Sequence, residues 1–302
     1  MKPPPFEYAR PESLEEALAI LGDHPEAKVL AGGQSLVPLL SMRLAAPRLL
    51  VDINRVAELA YVRTTESGEA GEPGVRVGAL ARHAEVEADA GAKVAQPLLN
   101  KALRLVAHPT IRNRGTTVGS IVHADAAAEM PAVLALLGGH VRLASREGRR
   151  TVSAEDLFLG PLETSLQPGD LAVEAFFPAL RPRCGVAIDE VSRRHGDYAL
   201  CGVAVLVELA DAPDEPPAGV RAGYLSVCDV PTVVDLTRAY ASGVNDAAHL
   251  AAGELALSRV DPGDDLHATR DYRIQLVRTL TRRTVEAAYA DAVDRALVGR
   301  RP

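Results

Sequence analysis

The order of apolar and polar positions along the chain predicts short strands alternating with helices. "SLEEALAIL" begins a helix, with Ser13 and Glu16 spaced as a capping box ahead of an apolar stripe. "AKVLA" and "RLLVDI" are predicted to be short buried strands, and "SLVPLLSMRLA" between them has a helical pattern. Strand, helix and strand in about 30 residues predict a βαβ unit whose first strand ends at the turn "AGGQS".

The middle of the chain predicts a mixture of strands, helices and irregular segments. A polar loop over residues 66–74 leads into the strand "GVRVGAL", and helical patterns follow over 84–88 and 97–107. "HPTIRNRGTTVGSIVHAD" is too irregular for one element. "AAAEMPAVLALLG" then predicts a helix, and "HVRLAS" with "RRTVS" a hairpin.

The pattern changes after Pro178. "ALCGVAVLVEL" and "VRAGYLSVC" are strands of a long hairpin joined by "DAPDEPPAG", and the rest is mainly helical, over 233–253 and 271–297. We therefore expect an α+β protein with a first domain over 1–177, in lobes of about 1–57 and 58–177, and a smaller C-terminal domain over 178–302 with an antiparallel sheet and helices.

Composition narrows the class of function. The 302 residues are 47% hydrophobic, enough for more than one core, and the net charge of −7 argues against sequence-independent nucleic-acid binding. No apolar run approaches the roughly 20 residues of a membrane span, and the amino terminus has no apolar signal core, so we expect a cytoplasmic protein. Cys184, Cys201 and Cys228 form no CxxC pair, so any redox chemistry needs a bound organic cofactor.

Two glycine-containing turns are the strongest candidates for a ligand site. "AGGQS" is either a structural turn or a phosphate cradle, and taken alone it does not decide between them. "RNRGTTVGS" adds a second turn with three hydroxyl side chains, and its Arg112 and Arg114 are either solvated charges or phosphate ligands. Two such turns about 80 residues apart suit a diphosphate held from both sides. Neither G-x-G-x-x-G nor a P-loop occurs in these turns.

Four segments together make a resemblance specific. "VLAGGQSLVPLLSMRLAAPRLLVDINRV", "IRNRGTTVGSIVHADAAAEMPAVL", "SRRHGDYALCGVAV" and "HATRDYRIQLVRTLTRRTVEAA" occur in this order and span nearly the whole chain. The chain resembles the FAD-binding medium subunit of molybdenum hydroxylases, the family of the carbon monoxide dehydrogenase medium subunit and the flavin domain of xanthine dehydrogenase. The resemblance implies FAD as cofactor and a first domain of the PCMH type.

The resemblance also implies which residues hold the cofactor. The first pyrophosphate loop corresponds to Ala31, Gly32, Gly33, Gln34, Ser35 and Leu36, and the second to Thr116, Thr117, Gly119 and Ser120. The segment under the ribityl and diphosphate groups corresponds to His123, Asp125 and Glu129, with Glu129 accepting from a ribityl or ribose hydroxyl. The segment against the isoalloxazine ring corresponds to Asp197 and Tyr198.

One position departs from the family pattern. The second loop of the family has two consecutive glycines, whereas this chain has Val118 before Gly119. If Val118 takes the place of a glycine with positive φ, the β-branched side chain strains the loop and weakens FAD binding.

The resemblance implies an oxidoreductase subunit that transfers electrons. Its partners would be a large molybdopterin-binding subunit and a small subunit with 2Fe–2S clusters, and its terminal acceptor a quinone, NAD or oxygen. No metal site or catalytic acid or base is predicted, because no two histidines are four residues apart and no G-x-S-x-G motif occurs. Two alternatives are a stand-alone flavin oxidase of the vanillyl-alcohol-oxidase type and a scaffold that has lost FAD through Val118.

Overall fold

The computed structural model describes residues 1–66, 72–212 and 215–298. Most of the predicted loop over 66–74, and two residues of the predicted loop "DAPDEPPAG", lie outside the described residues. The protein is α+β, as predicted, with three main sheets. Among the described residues, no helix is both long and apolar enough to span a membrane.

The amino-terminal part is a small parallel sheet. Its strands β1 (Glu7–Ala9), β2 (Lys28–Leu30) and β3 (Leu49–Asp52) lie in the order β1-β3-β2. Helix α1 (Leu14–Asp23) follows β1, and α2 (Leu36–Ser41) connects β2 to the parallel β3, which confirms the predicted βαβ unit. The Ser13 hydroxyl accepts from Glu16 N as predicted, but the Glu16 carboxylate accepts from Glu12 N, so the capping box is only half formed.

A five-stranded antiparallel sheet follows, in the order β4-β5-β10-β6-β7. Its strands are β4 (Val62–Thr65), β5 (Gly74–Gly78), β6 (His140–Ser145), β7 (Gly148–Ser153) and, after the small pair β8 (Phe158–Gly160) and β9 (Glu163–Thr164), β10 (Leu171–Pro178). The helices between β5 and β6 are α3 (His83–Ala88), α4 (Ala90–Ala95), α5 (Pro97–Leu103), α6 (Pro109–Arg112), α7 (Thr117–His123) and α8 (Glu129–Leu137), and α9 (Ala154–Leu157) follows β7. The predicted hairpin is β6–β7, and the irregular stretch is resolved into α6, α7 and their turns.

The C-terminal part is a four-stranded antiparallel sheet with helices on one face. Strands β11 (Cys184–Ser192), β12 (Ala199–Glu208), β13 (Gly219–Leu225) and β14 (Thr232–Asp235) lie in this order, followed by α10 (Asp246–Leu257) and α11 (Arg270–Val298). The predicted helix over 233–253 was wrong at its start, because β14 occupies that segment and a 3-10 turn (Thr237–Tyr240) follows. The domain boundary at 177/178 remains a prediction.

The four-stranded sheet is covered on both faces. One face, with Val186, Ala204 and Leu206, belongs to the core of the amino-terminal part, and the other, with Val205 and Val207, packs in a second core with α10 and α11. The sheet is also joined to the α7–α8 loop, because Ser226 N donates to Ala126 O at 2.7 Å. This contact sets the C-terminal part against the segment in which Asp125 lies.

Candidate functional site

The turn after β2 leaves a row of main-chain donors unpaired. Among the described residues, none accepts a hydrogen bond from the main-chain N–H groups of residues 32–36. Gly33 has φ +70°, a conformation that favours glycine, and Val37 N donates to Gly33 O at 3.0 Å where α2 begins. Gln34 Nε2 donates back to Gly32 O at 3.0 Å. Successive unpaired N–H groups in such a turn form a binding place for an anion.

The second turn lies directly against the first. A Cβ on Gly32 would be 2.5 Å from Arg114 O and 2.7 Å from Gly115 Cα, so only glycine fits at this position. The start of α3 also holds the second turn in place, because His83 N donates to Gly115 O at 2.9 Å. Residues far apart in the sequence are therefore joined into one continuous main-chain surface.

Two side chains join the turns. Asn54, just after β3, donates through Nδ2 to Ala31 O at 2.8 Å. Arg82 donates through Nη2 to Asn54 Oδ1 and through Nη1 to Arg114 O, both at 2.6 Å. Asn54 and Arg82 thus form a bridge between the turns. Asn54 binds a carbonyl of the first turn and Arg82 one of the second, so the bridge sets the spacing between the two turns.

Helix α7 begins in the second turn, and its start explains the local sequence. Thr116 is the N-cap, and its hydroxyl accepts from Gly119 N at 3.2 Å. A Cβ on Gly119 would be 2.5 Å from that hydroxyl oxygen, which accounts for the glycine. Val118 lies in the first turn of the helix, is 2% exposed and is not among the residues with positive φ. The strain anticipated at Val118 was therefore wrong: its side chain packs in the core.

An acidic end of the site lies beyond α7. His123 ends the helix, and Asp125 Oδ1 accepts from Ala127 N at 2.9 Å in the following loop. Burial lowers the pKa of His123, against the opposing effect of Asp125. Burial raises the pKa of Glu129 to about 7, and Asp125 adds to the rise.

Tyr198 connects the C-terminal part to this acidic end. Burial raises the pKa of its hydroxyl, and the charges of Asp125 and Glu129 raise it further, although the residue as a whole is 64% exposed. Ser35 of the first turn acts in the opposite direction and lowers the pKa. Tyr198 therefore lies near both the first turn and the acidic end.

The structure brings most of the predicted site residues together but not all. The two turns with Ala31, Gly32, Gly33, Gln34, Ser35, Leu36, Thr116, Thr117, Gly119 and Ser120 adjoin, and His123, Asp125, Glu129 and Tyr198 lie beyond them. Asp197 is exposed, and the structure describes no contact of its side chain with the others.

Arg112 is neither a solvated charge nor a phosphate ligand, since it is largely buried and donates to Glu87 Oε2 at 2.9 Å and to Val106 O at 3.0 Å. Arg114 is exposed.

Sequence reasoning missed the residues that support the site from outside its motifs. They are Asn54 and Arg82 of the bridge, and His83, whose Nδ1 lies 3.2 Å from Thr117 Oγ1. Burial, with a smaller effect of Arg112, lowers the pKa of His83 to about 4, so the ring is neutral. None of the three lies in a recognisable pattern, although Asn54 belongs to the quoted segment "VDINRV".

Comparisons with known proteins identify the family of the chain. The family model of the FAD binding domain in molybdopterin dehydrogenase matches residues 4–180, and that of the CO dehydrogenase flavoprotein C-terminal domain matches residues 186–288. The chain is 40% identical to 6-hydroxypseudooxynicotine dehydrogenase complex subunit alpha of Paenarthrobacter nicotinovorans, over 95% of this chain and 96% of that one. It is 34% identical to the carbon monoxide dehydrogenase medium chain of Hydrogenophaga pseudoflava, over 96% and 99%.

A solved structure extends the likeness to the fold. Quinoline 2-oxidoreductase from Pseudomonas putida 86 contains a chain with a TM-score of 0.87 and 35% identity, covering 97% of this chain and 99% of that one. With its two adjoining turns and both family models in order along the sequence, the chain belongs to the FAD-binding flavoprotein subunits of the molybdenum hydroxylases, an oxidoreductase family that includes the carbon monoxide dehydrogenase medium chains.

Proposed function

We propose that this chain is the electron-transfer subunit of a cytoplasmic molybdenum hydroxylase complex. It works with a large molybdopterin-binding subunit and a small subunit carrying 2Fe–2S clusters, and it passes electrons from those clusters to a terminal acceptor, a quinone, NAD or oxygen. FAD, when bound, supplies the redox chemistry, and the chain supplies binding, orientation and electrostatics.

The observation that carries this proposal is the unpaired row of N–H groups at residues 32–36, set against the second turn by the close approach of Gly32 and Gly115. Such a surface binds the diphosphate of a dinucleotide through the main chain, without lysine or arginine ligands. The proposed cofactor contacts are therefore the two turns for the diphosphate, the acidic end for hydroxyl groups and Tyr198 for the ring.

The two alternatives have less support. A stand-alone oxidase needs a sizeable substrate-covering domain, but both faces of the C-terminal sheet are already buried, one in each core. The FAD-free scaffold rested on strain at Val118, and that residue lies without strain in α7.

Isolation of the chain from its own cells tests the proposal. We expect two further polypeptides to co-purify, with molybdenum, iron and one FAD per copy of this chain measured by elemental analysis and by heat release of the flavin. In the isolated complex, reduction of the iron–sulfur clusters by substoichiometric dithionite should be followed by bleaching of the flavin absorbance. A yellow chain that purifies alone and is bleached directly by an alcohol would contradict the proposal and favour the oxidase.

A further inference from the structure

Strands β12 and β13 separate at one end of the C-terminal sheet, and Ser226 lies where they part. Their pairing runs from Glu208 with Gly219 to Gly202 with Leu225 and stops there. Ser226 comes next, with φ +65°, a conformation that most residues other than glycine avoid. The main chain therefore leaves the sheet at a strained residue, and the contacts of that residue must hold it there.

Ser226 makes two hydrogen bonds that join the C-terminal sheet to the proposed cofactor site. Its N–H donates to Ala126 O at 2.7 Å, in the loop between α7 and α8 that also contains Asp125. Its hydroxyl donates to Ala199 O at 2.6 Å, and Ala199 is the neighbour of Tyr198. Through one residue, the start of β12 is thus tied to the loop at the acidic end.

Packing holds Ala199 as well. It is buried in a small cluster with Ala132 of α8 and Leu225 of β13. Tyr198 itself is 64% exposed, so its own ring is only partly held by packing within this chain. The position of Tyr198 therefore depends on how firmly the main chain is fixed at Ala199.

Arg273 of α11 takes the place of the hydrogen bonds that the two strands no longer make. It is 5% exposed, and its Nη1 donates to Leu200 O at 2.5 Å and to Ser226 O at 2.7 Å. Its Nη2 donates to Asp265 Oδ2 at 2.5 Å, in the loop before α11. A buried carbonyl without a donor is costly, and here one planar side chain satisfies two of them. Arg273 thus fixes the distance between the separated ends of β12 and β13.

We propose that Arg273 and Ser226 are positioning residues for the flavin, which fix the start of β12 and through it hold Tyr198 against the isoalloxazine ring. This inference rests on the proposed function, because it takes Tyr198 to contact the ring of bound FAD. Neither residue needs to touch the cofactor, and no bond to the cofactor forms or breaks. Their effect on the flavin should therefore disappear when the Tyr198 ring is absent.

Binding of FAD, FMN and ADP to the cofactor-free full chain tests the inference, with flavin fluorescence for the first two ligands and calorimetry for ADP. Arg273→Lys has a single nitrogen in place of the two that the guanidinium uses, so the start of β12 is held less firmly. Its dissociation constants for FAD and FMN should rise about tenfold, while that of ADP, which lacks the ring, stays unchanged. The bound flavin should also fluoresce more strongly, because a tyrosine against the isoalloxazine ring quenches its emission.

Ser226→Gly is the milder variant, and it suffices for the test if Arg273→Lys does not fold. Glycine adopts the positive φ without strain and keeps the main-chain bond to Ala126, so only the hydroxyl bond to Ala199 is lost. We expect this variant to unfold at about the wild-type temperature and to bind FAD and FMN about fivefold more weakly.

A double-mutant cycle separates positioning from a general effect on the fold. In the Tyr198→Ala background, Arg273→Lys and Ser226→Gly should cause no further loss of flavin affinity. Arg278→Lys is the matched control on the same helix, because Arg278 forms an exposed ion pair with Glu254, and this variant should bind FAD like the wild type.

Three results would overturn the inference: wild-type flavin affinity and fluorescence in both variants, equal losses for ADP and FAD, or a loss that persists in full in the Tyr198→Ala background. A wild-type chain that binds ADP and flavins not at all would contradict the proposed function itself, and this inference with it.

Discussion

Gly32 is the residue at which the proposed flavin site depends most directly on the absence of a side chain. In Gly32→Ala the new Cβ would lie 2.5 Å from Arg114 O and 2.7 Å from Gly115 Cα, both main-chain atoms that no rotamer change can move. The turns must separate, so we expect FAD to bind at least about tenfold more weakly in a fluorescence titration.

A control for this substitution is Gly263→Ala, since a Cβ there would meet no atom within 4 Å. Its FAD affinity and melting temperature should equal those of the wild type. Unchanged FAD affinity in Gly32→Ala would show that contact between the turns is not required for binding.

Arg82 gives a second prediction at the residue scale. Lysine keeps the charge but cannot donate to both Asn54 and Arg114, because it lacks the forked guanidinium. We expect Arg82→Lys to weaken FAD binding about tenfold, the effect of losing one hydrogen bond of a charged group. Arg104→Lys, at an exposed position after α5, should bind FAD like the wild type. Equal affinities of the two variants would mean that the bridge does not set the spacing of the turns.

The residues of the turns could be predicted from sequence, but those that support them could not. Glycine and hydroxyl side chains have a local conformational meaning, which is visible in "AGGQS" and "RNRGTTVGS". Asn54 and Arg82 acquire their roles only when segments distant in the sequence come together. The strain expected at Val118 was wrong for a different reason. Its position was compared with a glycine of the family pattern, but a residue at such a position need not adopt the backbone conformation of that glycine.

At the scale of elements, the start of α7 determines how the second turn is held. Thr116→Ala removes the acceptor of Gly119 N and should cost about 1 kcal/mol of unfolding free energy. Because this cap lies in the proposed site, FAD affinity should fall about fivefold as well.

A second cap provides the comparison for α7. Ser153→Ala removes the N-cap of α9, whose hydroxyl accepts from Asp156 N at 3.1 Å. Urea unfolding should show a similar loss of stability, with FAD affinity unchanged. If both variants bind FAD equally well, the α7 cap contributes to stability alone.

Some elements with strong patterns were predicted correctly, whereas the buried strands β10 and β11 and the short edge strands were not predicted. Strand β12 is buried along nine of its ten residues and reads as a continuous apolar run, and α11 was predicted almost to its ends. Strands β1 and β14 have three and four residues and are mostly exposed or half-buried, so only pairing with β3 and β13 makes them strands. Short edge strands of this kind have no periodicity to detect.

At the scale of the whole molecule, three buried titratable groups predict that the cofactor-free chain loses stability as the pH rises from about 5 to 8. The pKa of His83 is about 4, below its ordinary 6.5, so the unfolded chain takes up the proton first and stability is lost as the pH falls below 6.5. The pKa values of Glu129 and Glu190 are about 7 and 8, above the ordinary 4.5, so the folded chain holds protons that the unfolded chain releases. The loss of this contribution begins near pH 4.5 and exceeds the opposing contribution of His83, so stability falls by about 3 kcal/mol between pH 6 and 8.

Urea unfolding at pH 5, 6, 7 and 8 measures this profile. The decrease should be absent in the double variant Glu129→Gln, Glu190→Gln, whose stability should instead rise from pH 5 to 7 because of His83. A double variant that loses as much stability as the wild type between pH 6 and 8 would assign the decrease to other groups.

The meeting of Gly32 with Gly115 has a consequence for how the protein matures. The binding surface does not exist in either lobe alone, so a nascent chain has no place for the nucleotide until both lobes have docked. Bound FAD would contact both turns, which are far apart in the sequence. It would therefore shift the equilibrium between separated and docked turns towards the docked form. Cofactor loading would thus report that the two turns have come together.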